Sequence, residues 1–271
     1  MSAIMSLSVK DVFNQLWNQY VQINEQAEKI QTLLEKRGEK VVNDHIALRT
    51  FNTPKLGMLK LAKTFLDKGY EIVSEYDFVK KKLNAIHLEH STNIDHPKVF
   101  ISELKTELFS ENLQAIVAKI DAQISEEDVE NELFVASGRT WALSFEEYIE
   151  LLRESEYAAW TAVFGYRANH FTVSLNHLTT FFHLEDLNDF ILENGFNLNE
   201  VAGLIKGTPE QYLEQSSTMA APVSVEFDNS VHVIPGCFYE FAKRYPLPES
   251  GKLYQGFIAA SADKIFESTN N

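Results

Sequence analysis

One pattern occurs twice in this chain of 271 residues. Asp44-His45-Ile46-Ala47-Leu48-Arg49 leads through an amphipathic stretch to Lys68-Gly69-Tyr70-Glu71-Ile72. Asn169-His170-Phe171-Thr172-Val173-Ser174 leads in the same way to Asn194-Gly195-Phe196-Asn197-Leu198. Each histidine is second in a strand-like run, and each run feeds a helix closed by a Gly-aromatic pair. A duplicated unit carrying one histidine per copy can bring both imidazoles to one point, as many metal sites require.

Strand geometry sharpens this reading, because residues i, i+2 and i+4 share a face. His45, Ala47 and Arg49 point one way, and His170, Thr172, Ser174 and Asn176 do the same in the second copy. If helices cover the apolar faces, the polar faces line an interior, where unpaired polar groups would be costly. The last strand of the second copy, Gly236 to Tyr245, sets Glu240 among bulky apolar residues. A carboxylate there requires a partner or a metal ion. The first copy ends in Lys98–Lys105, and aligning the two strands sets Glu103 against Glu240. Two histidines and one carboxylate suit non-haem Fe(II) with open positions. Glu103 as a fourth ligand would suit an isomerase using Ni or Zn; otherwise it supports the ligands from behind or forms a salt bridge. Glu226 competes with Glu240, but the following Asp228-Asn229 mark a turn near solvent.

The expected order in the first unit is β-α-β-β-β: a strand from His45, a helix beginning at Thr53-Pro54 and ending before Gly69, then strands at 71–78, 85–89 and 99–104. Residues 9–37 read as one long helix, with Phe13, Leu16, Trp17, Tyr20, Ile23, Ala27, Ile30 and Leu34 on its apolar side. Residues 107–167 form a helical insertion, where Leu113, Ile116, Val117 and Ile120 share a face and Ser144 to Glu147 make a capping box. In the second unit a helix covers 184–194. Strands follow near 196–201, 219–227, 231–234 and 237–245, and residues 207–215 form a loop. The division is thus 1–40 N-terminal helix, 41–106 first unit, 107–167 insertion, and 168–271 second unit with a polar tail. The fold class is α+β: duplicated βαβββ units forming an open barrel. His87 and His90 have opposite parity, cannot share a metal, and are expected at the surface.

Composition narrows the partners. A net charge of −15 argues against nucleic acid and anionic membranes, which need basic patches. The single cysteine, Cys237, excludes a disulfide framework and a thiolate zinc site. No signal peptide and no run of ~20 apolar residues is visible, so a cytoplasmic location is expected.

The duplication, with its histidines and glutamate, resembles the vicinal oxygen chelate superfamily. The words DHIALRTF at 44–51, QSSTMA at 215–220 and IPGCFYEFAKRY at 234–245 look like the 2-oxoadipate dioxygenase/decarboxylase family, over about residues 8 to 258. The resemblance implies His45, His170 and Glu240 as metal ligands, and Arg49 as the contact to a substrate carboxylate. Arg49 stands ~13 Å along the strand from His45 and can lean back toward it. The same resemblance places Ser217 at the pocket wall, and Ser174, on the face it shares with His170, is the other hydroxyl expected to meet the substrate. It implies Fe(II), with Zn or Ni possible after purification, and a small 2-oxo acid and dioxygen as reactants. The family reaction takes 2-oxoadipate to 2-hydroxyglutarate and carbon dioxide. The chain looks like a compact branch, lacking C-terminal sequence that shapes the pocket in better-known members. Two other functions share such a frame: a glyoxalase-like isomerase and a non-catalytic metal- or ligand-binding protein.

Overall fold

The computed structural model describes residues 7–201 and 203–258. The far end of the expected polar tail lies outside these residues. Among them, eight strands form one curled sheet in the order β2-β3-β4-β1-β5-β10-β7-β6. The first unit supplies β1 (Asn43–Phe51), β2 (Tyr70–Phe78), β3 (Leu83–His90) and β4 (Lys98–Leu104). The second supplies β5 (Ala168–Ser174), β6 (Lys206–Thr208), β7 (Leu213–Ser217) and β10 (Glu240–Arg244). The sequence 2-3-4-1 is mirrored by 6-7-10-5, with β1 and β5 antiparallel at the centre. Each unit is therefore βαβββ. The second carries an extra hairpin, β8 (Pro222–Phe227) with β9 (Ser230–Pro235), before its last strand.

The outer face is covered by helices. Helix α1 (Val9–Gln22) begins with a capping box between Ser8 and Asp11 and buries Val12, Leu16 and Tyr20. Its Trp17 and Tyr20 rings lie 5.0 and 5.1 Å from Phe171 on β5. Burying each such side chain stabilises by about 1.5–3 kcal/mol. The expected single helix is two, because α2 (Glu25–Lys36) starts after a break at Ile23-Asn24. Asn24 is buried and donates to the Tyr20 hydroxyl at 2.7 Å, so the break is held by side-chain bonding that apolar periodicity does not register.

Helix α3 (Met58–Leu66) begins later than Thr53-Pro54, since residues 53–57 turn on the Thr53 hydroxyl, which accepts from Leu56 N–H at 3.1 Å. Both Gly-aromatic stops hold. Gly69 after α3 and Gly195 after α8 (Leu184–Glu193) have φ of 88° and 84°, where a Cβ would be strained.

The insertion forms α4 (Glu111–Ala122), α5 (Glu126–Glu130), α6 (Phe145–Glu154) and α7 (Glu156–Phe164). The expected α4 face is buried, and the Ser144–Glu147 capping box is present. Helix α7 is not a peripheral appendage. All of Tyr157 to Phe164 is buried, because the helix packs into the concave side of the sheet against β1.

One strand expectation and one loop expectation fail, and one strand starts later than expected. Residues 196–201 are irregular, with only a bridge from Leu198 to Thr218. The expected loop at 207–215 is instead largely taken up by β6 and β7, and the strand expected at 219–227 forms as β8, beginning at Pro222. Strand β7, Leu-Glu-Gln-Ser-Ser, is polar yet wholly buried, so hydropathy hides it.

Candidate metal centre

His45, on β1, and His170, on β5, reach the concave side from the two central strands. Glu240 opens β10, which runs parallel to β5 with Glu240 level with Thr172. All three are buried, and one donor atom from each lies within 4.8 Å of the others. Glu240 Oε1 is 3.4 Å from His45 Nε2, and Oε2 is 3.4 Å from His170 Nε2.

Each imidazole has its other nitrogen occupied. His45 Nδ1 lies 2.7 Å from Asp44 Oδ1, and His170 Nδ1 lies 3.1 Å from Asn169 Oδ1. An amide oxygen only accepts, so His170 Nδ1 carries the proton and Nε2 presents a lone pair. The Asp44 carboxylate imposes the same tautomer on a neutral His45. Both holders sit at β-bulges. Pairing of β1 with β5 passes over Asp44 on one strand and Asn169 on the other, so the residue before each histidine is re-aimed beside its ring.

Apart from the Thr172 hydroxyl beside His45 Nε2 and the Gln215 amide on Glu240 Oε1, the result is a set of acceptors facing acceptors. Burial, then the neighbouring His45 and Arg49, pushes His170 well below the usual histidine range. Burial pushes the Glu240 carboxyl up, against the opposing pull of His45 and of the Gln215 amide that donates to Oε1. No hydrogen-bond donor reaches Glu240 Oε2 among the described residues. Two imidazole lone pairs and a carboxylate converging in a buried space are unfavourable unless a cation lies among them. The donor set, nitrogen and oxygen without thiolate, fits a divalent transition metal. Asp44 is held well below the usual carboxylate range: burial opposes ionisation, but the Arg244 guanidinium and the His45 hydrogen bond outweigh it.

Other expected residues separate clearly. Arg49 is buried on the same face as His45, with Nη1 3.2 Å from Glu156 Oε1. Its guanidinium lies 4.9 and 5.0 Å from the Tyr157 and Trp160 ring centroids of α7. Ser217 is level with Glu240 on the adjacent β7, and Ser174 is buried at the end of β5 with its hydroxyl 2.9 Å from His177 Nδ1. Thr172 places its hydroxyl 3.1 Å from His45 Nε2. Glu226 is exposed on β8, as expected.

Glu103 is a correction. It pairs in register with Thr50 on the helix side of the sheet and accepts from Met58 N–H at 2.8 Å, at the start of α3. The position that matches Glu240 is Phe100, level with Ala47 as Glu240 is level with Thr172. His87 is a second correction. It is buried, level with Phe100, and bonded to Tyr76 Oη at 2.8 Å and Glu89 Oε1 at 3.1 Å. His90 is only partly buried and its ring lies 5.2 Å from that of Tyr70, apart from the partners of His87, so the parity argument holds while the surface expectation for His87 does not. The sequence reading missed Asp44 and Arg244 as functional residues. Asp44 was visible only as the residue before a histidine, and Arg244 pairs with it across the fold.

A family model for 2-oxoadipate dioxygenase/decarboxylase matches residues 8–255. A chloroplastic/amyloplastic 2-oxoadipate dioxygenase/decarboxylase from Oryza sativa subsp. japonica is 36% identical over 257 residues, covering 86% of this chain and 71% of the relative. The crystal structure of hydroxyglutarate synthase from Oryza sativa, in complex with 2-oxoadipate, superposes with a TM-score of 0.91 at 34% identity, over 96% of this chain and 91% of that one. A Shewanella frigidimarina protein provisionally classed as a hydrolase gives 0.90 at 47% identity, over 94% and 99%. The same fold occurs in a Ralstonia eutropha protein assigned to the glyoxalase superfamily, at a TM-score of 0.73 and 19% identity, over 91% and 84%.

Proposed function

The chain belongs to the 2-oxoadipate dioxygenase/decarboxylase family, and on that premise we propose that it is an Fe(II)-dependent enzyme converting a small 2-oxo dicarboxylic acid and dioxygen to a 2-hydroxy acid and carbon dioxide. With 2-oxoadipate the product is 2-hydroxyglutarate, one carbon shorter. The observation that carries the reading is the buried convergence of His45 Nε2, His170 Nε2 and the Glu240 carboxylate with no donor to satisfy Glu240 Oε2.

His45, His170 and Glu240 would hold the metal and leave its remaining positions to the reactants. Bound there, ferrous iron supplies Lewis acidity and the redox capacity to use dioxygen. Asp44 and Asn169 keep the Nδ1 protons and aim the two Nε2 lone pairs. Arg49 takes the substrate's far carboxylate in a planar, two-pronged contact that a lysine cannot reproduce. The Tyr157 and Trp160 rings fix the guanidinium plane and keep water from it. Ser217, beside Glu240, and Ser174 offer hydroxyls to the substrate's oxygens.

A glyoxalase-like isomerase would need Glu103 as a fourth ligand, and Glu103 faces the other side of the sheet. The test is oxygen consumption by anaerobically Fe(II)-loaded protein given 2-oxoadipate, with 2-oxoglutarate alongside. The expected result is uptake matched one to one by carbon dioxide, absent with Zn. Arg49→Lys should raise KM for the dicarboxylate more than it lowers kcat. Stoichiometric iron without uptake on any 2-oxo acid would refute the dioxygenase reading.

A further inference from the structure

Arg244 ends β10, four residues beyond Glu240, and is buried. Its donors go two ways. Nε and Nη2 meet Asp44 Oδ2 and Oδ1 at 2.7 and 2.8 Å, a two-pronged pair, and Asp44 Oδ1 in turn lies 2.7 Å from His45 Nδ1. Nη1 donates to the carbonyl oxygens of Tyr254 and Gly256 at 3.0 and 2.8 Å. Those carbonyls belong to the segment that folds back after β10, tied by Tyr254 N–H to Tyr245 O at 2.9 Å. The segment carries Phe257 into the concave side, edge-on to His45 with ring centroids 4.8 Å apart. The same ring packs on Phe100 and His87, and the Arg244 guanidinium lies 5.3 Å from its centroid.

We propose that Arg244 is a positioning residue that couples the aim of His45 toward the metal to the docking of the 254–257 segment over that histidine. The inference rests on the metal-centre reading above. An imidazole turns about its own bond unless its second nitrogen is held, and here Asp44 holds it. A buried carboxylate without a counter-ion would draw in water or swing toward another donor, taking the ring with it. Arg244 fixes both carboxylate oxygens in one plane, which a lysine cannot do. The same guanidinium seats the segment whose Phe257 limits tilting of the ring. The arrangement is one-sided, because His170 is held by the neutral Asn169.

The test uses Co(II) as probe, read by calorimetric affinity and by the visible absorption band, which reports ligand geometry. Arg244→Lys should bind Co(II) about 10- to 100-fold more weakly with a shifted band. Adding Asp44→Asn to it should weaken binding no further than the weaker single variant, since both act through one ring. Cleavage by trypsin after Lys252 should be slowed by Co(II) in the parent protein and not in Arg244→Lys. Phe257→Leu leaves every buried charge in place, and should shift the band in the same direction by less. Unchanged affinity and band in Arg244→Lys or in Phe257→Leu, or additive losses in the double variant, would overturn the coupling while a weakened His170→Ala upheld the metal centre. Equal Co(II) binding by His170→Ala and the parent would instead overturn the metal centre itself.

Discussion

In the second unit, β10 presents Glu240 level with Thr172, two residues beyond His170. In the first, β4 presents Phe100 level with Ala47, two residues beyond His45. The neighbouring strands differ likewise: Ser217 stands beside Glu240, and His87 beside Phe100. The units therefore share a frame and a histidine, and differ at the site that supplies the acid. A fully symmetric pair would enclose a cation with four protein ligands. Here three candidate ligands lie on one side, and the place matching Glu240 is taken by Phe100, packed on Phe257. The histidine holders diverge too, since Asp44 is a charged group backed by Arg244 and Asn169 is neutral.

The largest expected effect comes from removing the shared part. His45→Ala or His170→Ala should lower Fe(II) affinity and kcat/KM by more than the 10- to 100-fold typical of residues that only orient a ligand. Equilibrium dialysis and oxygen uptake would check it, and unequal losses between the two histidines would show that one unit dominates.

Phe100→Glu would restore the missing symmetry. It should strengthen metal binding by occupying an open position, and suppress turnover for the same reason. Without metal it should cost about 3 kcal/mol or more, because a second carboxylate enters a buried apolar site. Thermal unfolding with and without Zn measures both effects. Undiminished turnover would mean that Phe100 does not face the reactants.

Glu240→Gln breaks the comparison from the other side. Burial raises the Glu240 pKa above its ordinary 4.5 in the folded chain. The metal-free fold then gains from protonated Glu240 below that value and loses the gain as pH rises through the folded pKa. Metal-free Glu240→Gln should therefore be more stable than the parent at pH 7, by on the order of 1 kcal/mol for each unit of pKa shift. The difference should vanish below about pH 4.5, the ordinary value. Denaturant titrations at both pH values would check the sign, and a less stable variant at pH 7 would contradict it.

The smallest effect is expected at Asn169→Ala. One neutral hydrogen bond of about 1 kcal/mol is lost, so metal affinity should fall only a few-fold. Asp44→Ala, which leaves the buried Arg244 uncompensated, should lose clearly more in the same titration.

How far the site was legible follows from the same residues. The duplicated strands and their histidines were plain, because burial on both faces leaves short apolar runs with a regular polar break. Glu240 was plain because a carboxylate among aromatics needs a reason. Its partner was misaligned by three positions because a sequence comparison seeks a matching acid, whereas register assigns the place to Phe100. Parity arguments assume an unbroken strand, and the bulges at Asp44 and Asn169 break that assumption where the histidines are held. The Arg244–Asp44 pair joins β10 to β1 across the fold and leaves no periodic trace. Strand β7 was lost because its buried side chains are polar: Gln215 is bonded to Glu240, and Ser216 to Asn188 at 2.7 Å. His87 was misplaced because its polar partners, Tyr76 and Glu89, sit on or beside its own hairpin and look like surface.

The most direct test of the account is anomalous diffraction at the iron edge from crystals loaded anaerobically with Fe(II). The account predicts one peak per chain, at bonding distance from His45 Nε2, His170 Nε2 and the Glu240 carboxylate, with Phe100 on its open side. A peak elsewhere, at His87 and Glu89 or at the half-buried His90 and His96, whose rings lie 4.8 Å apart, or none at full iron loading, would contradict it.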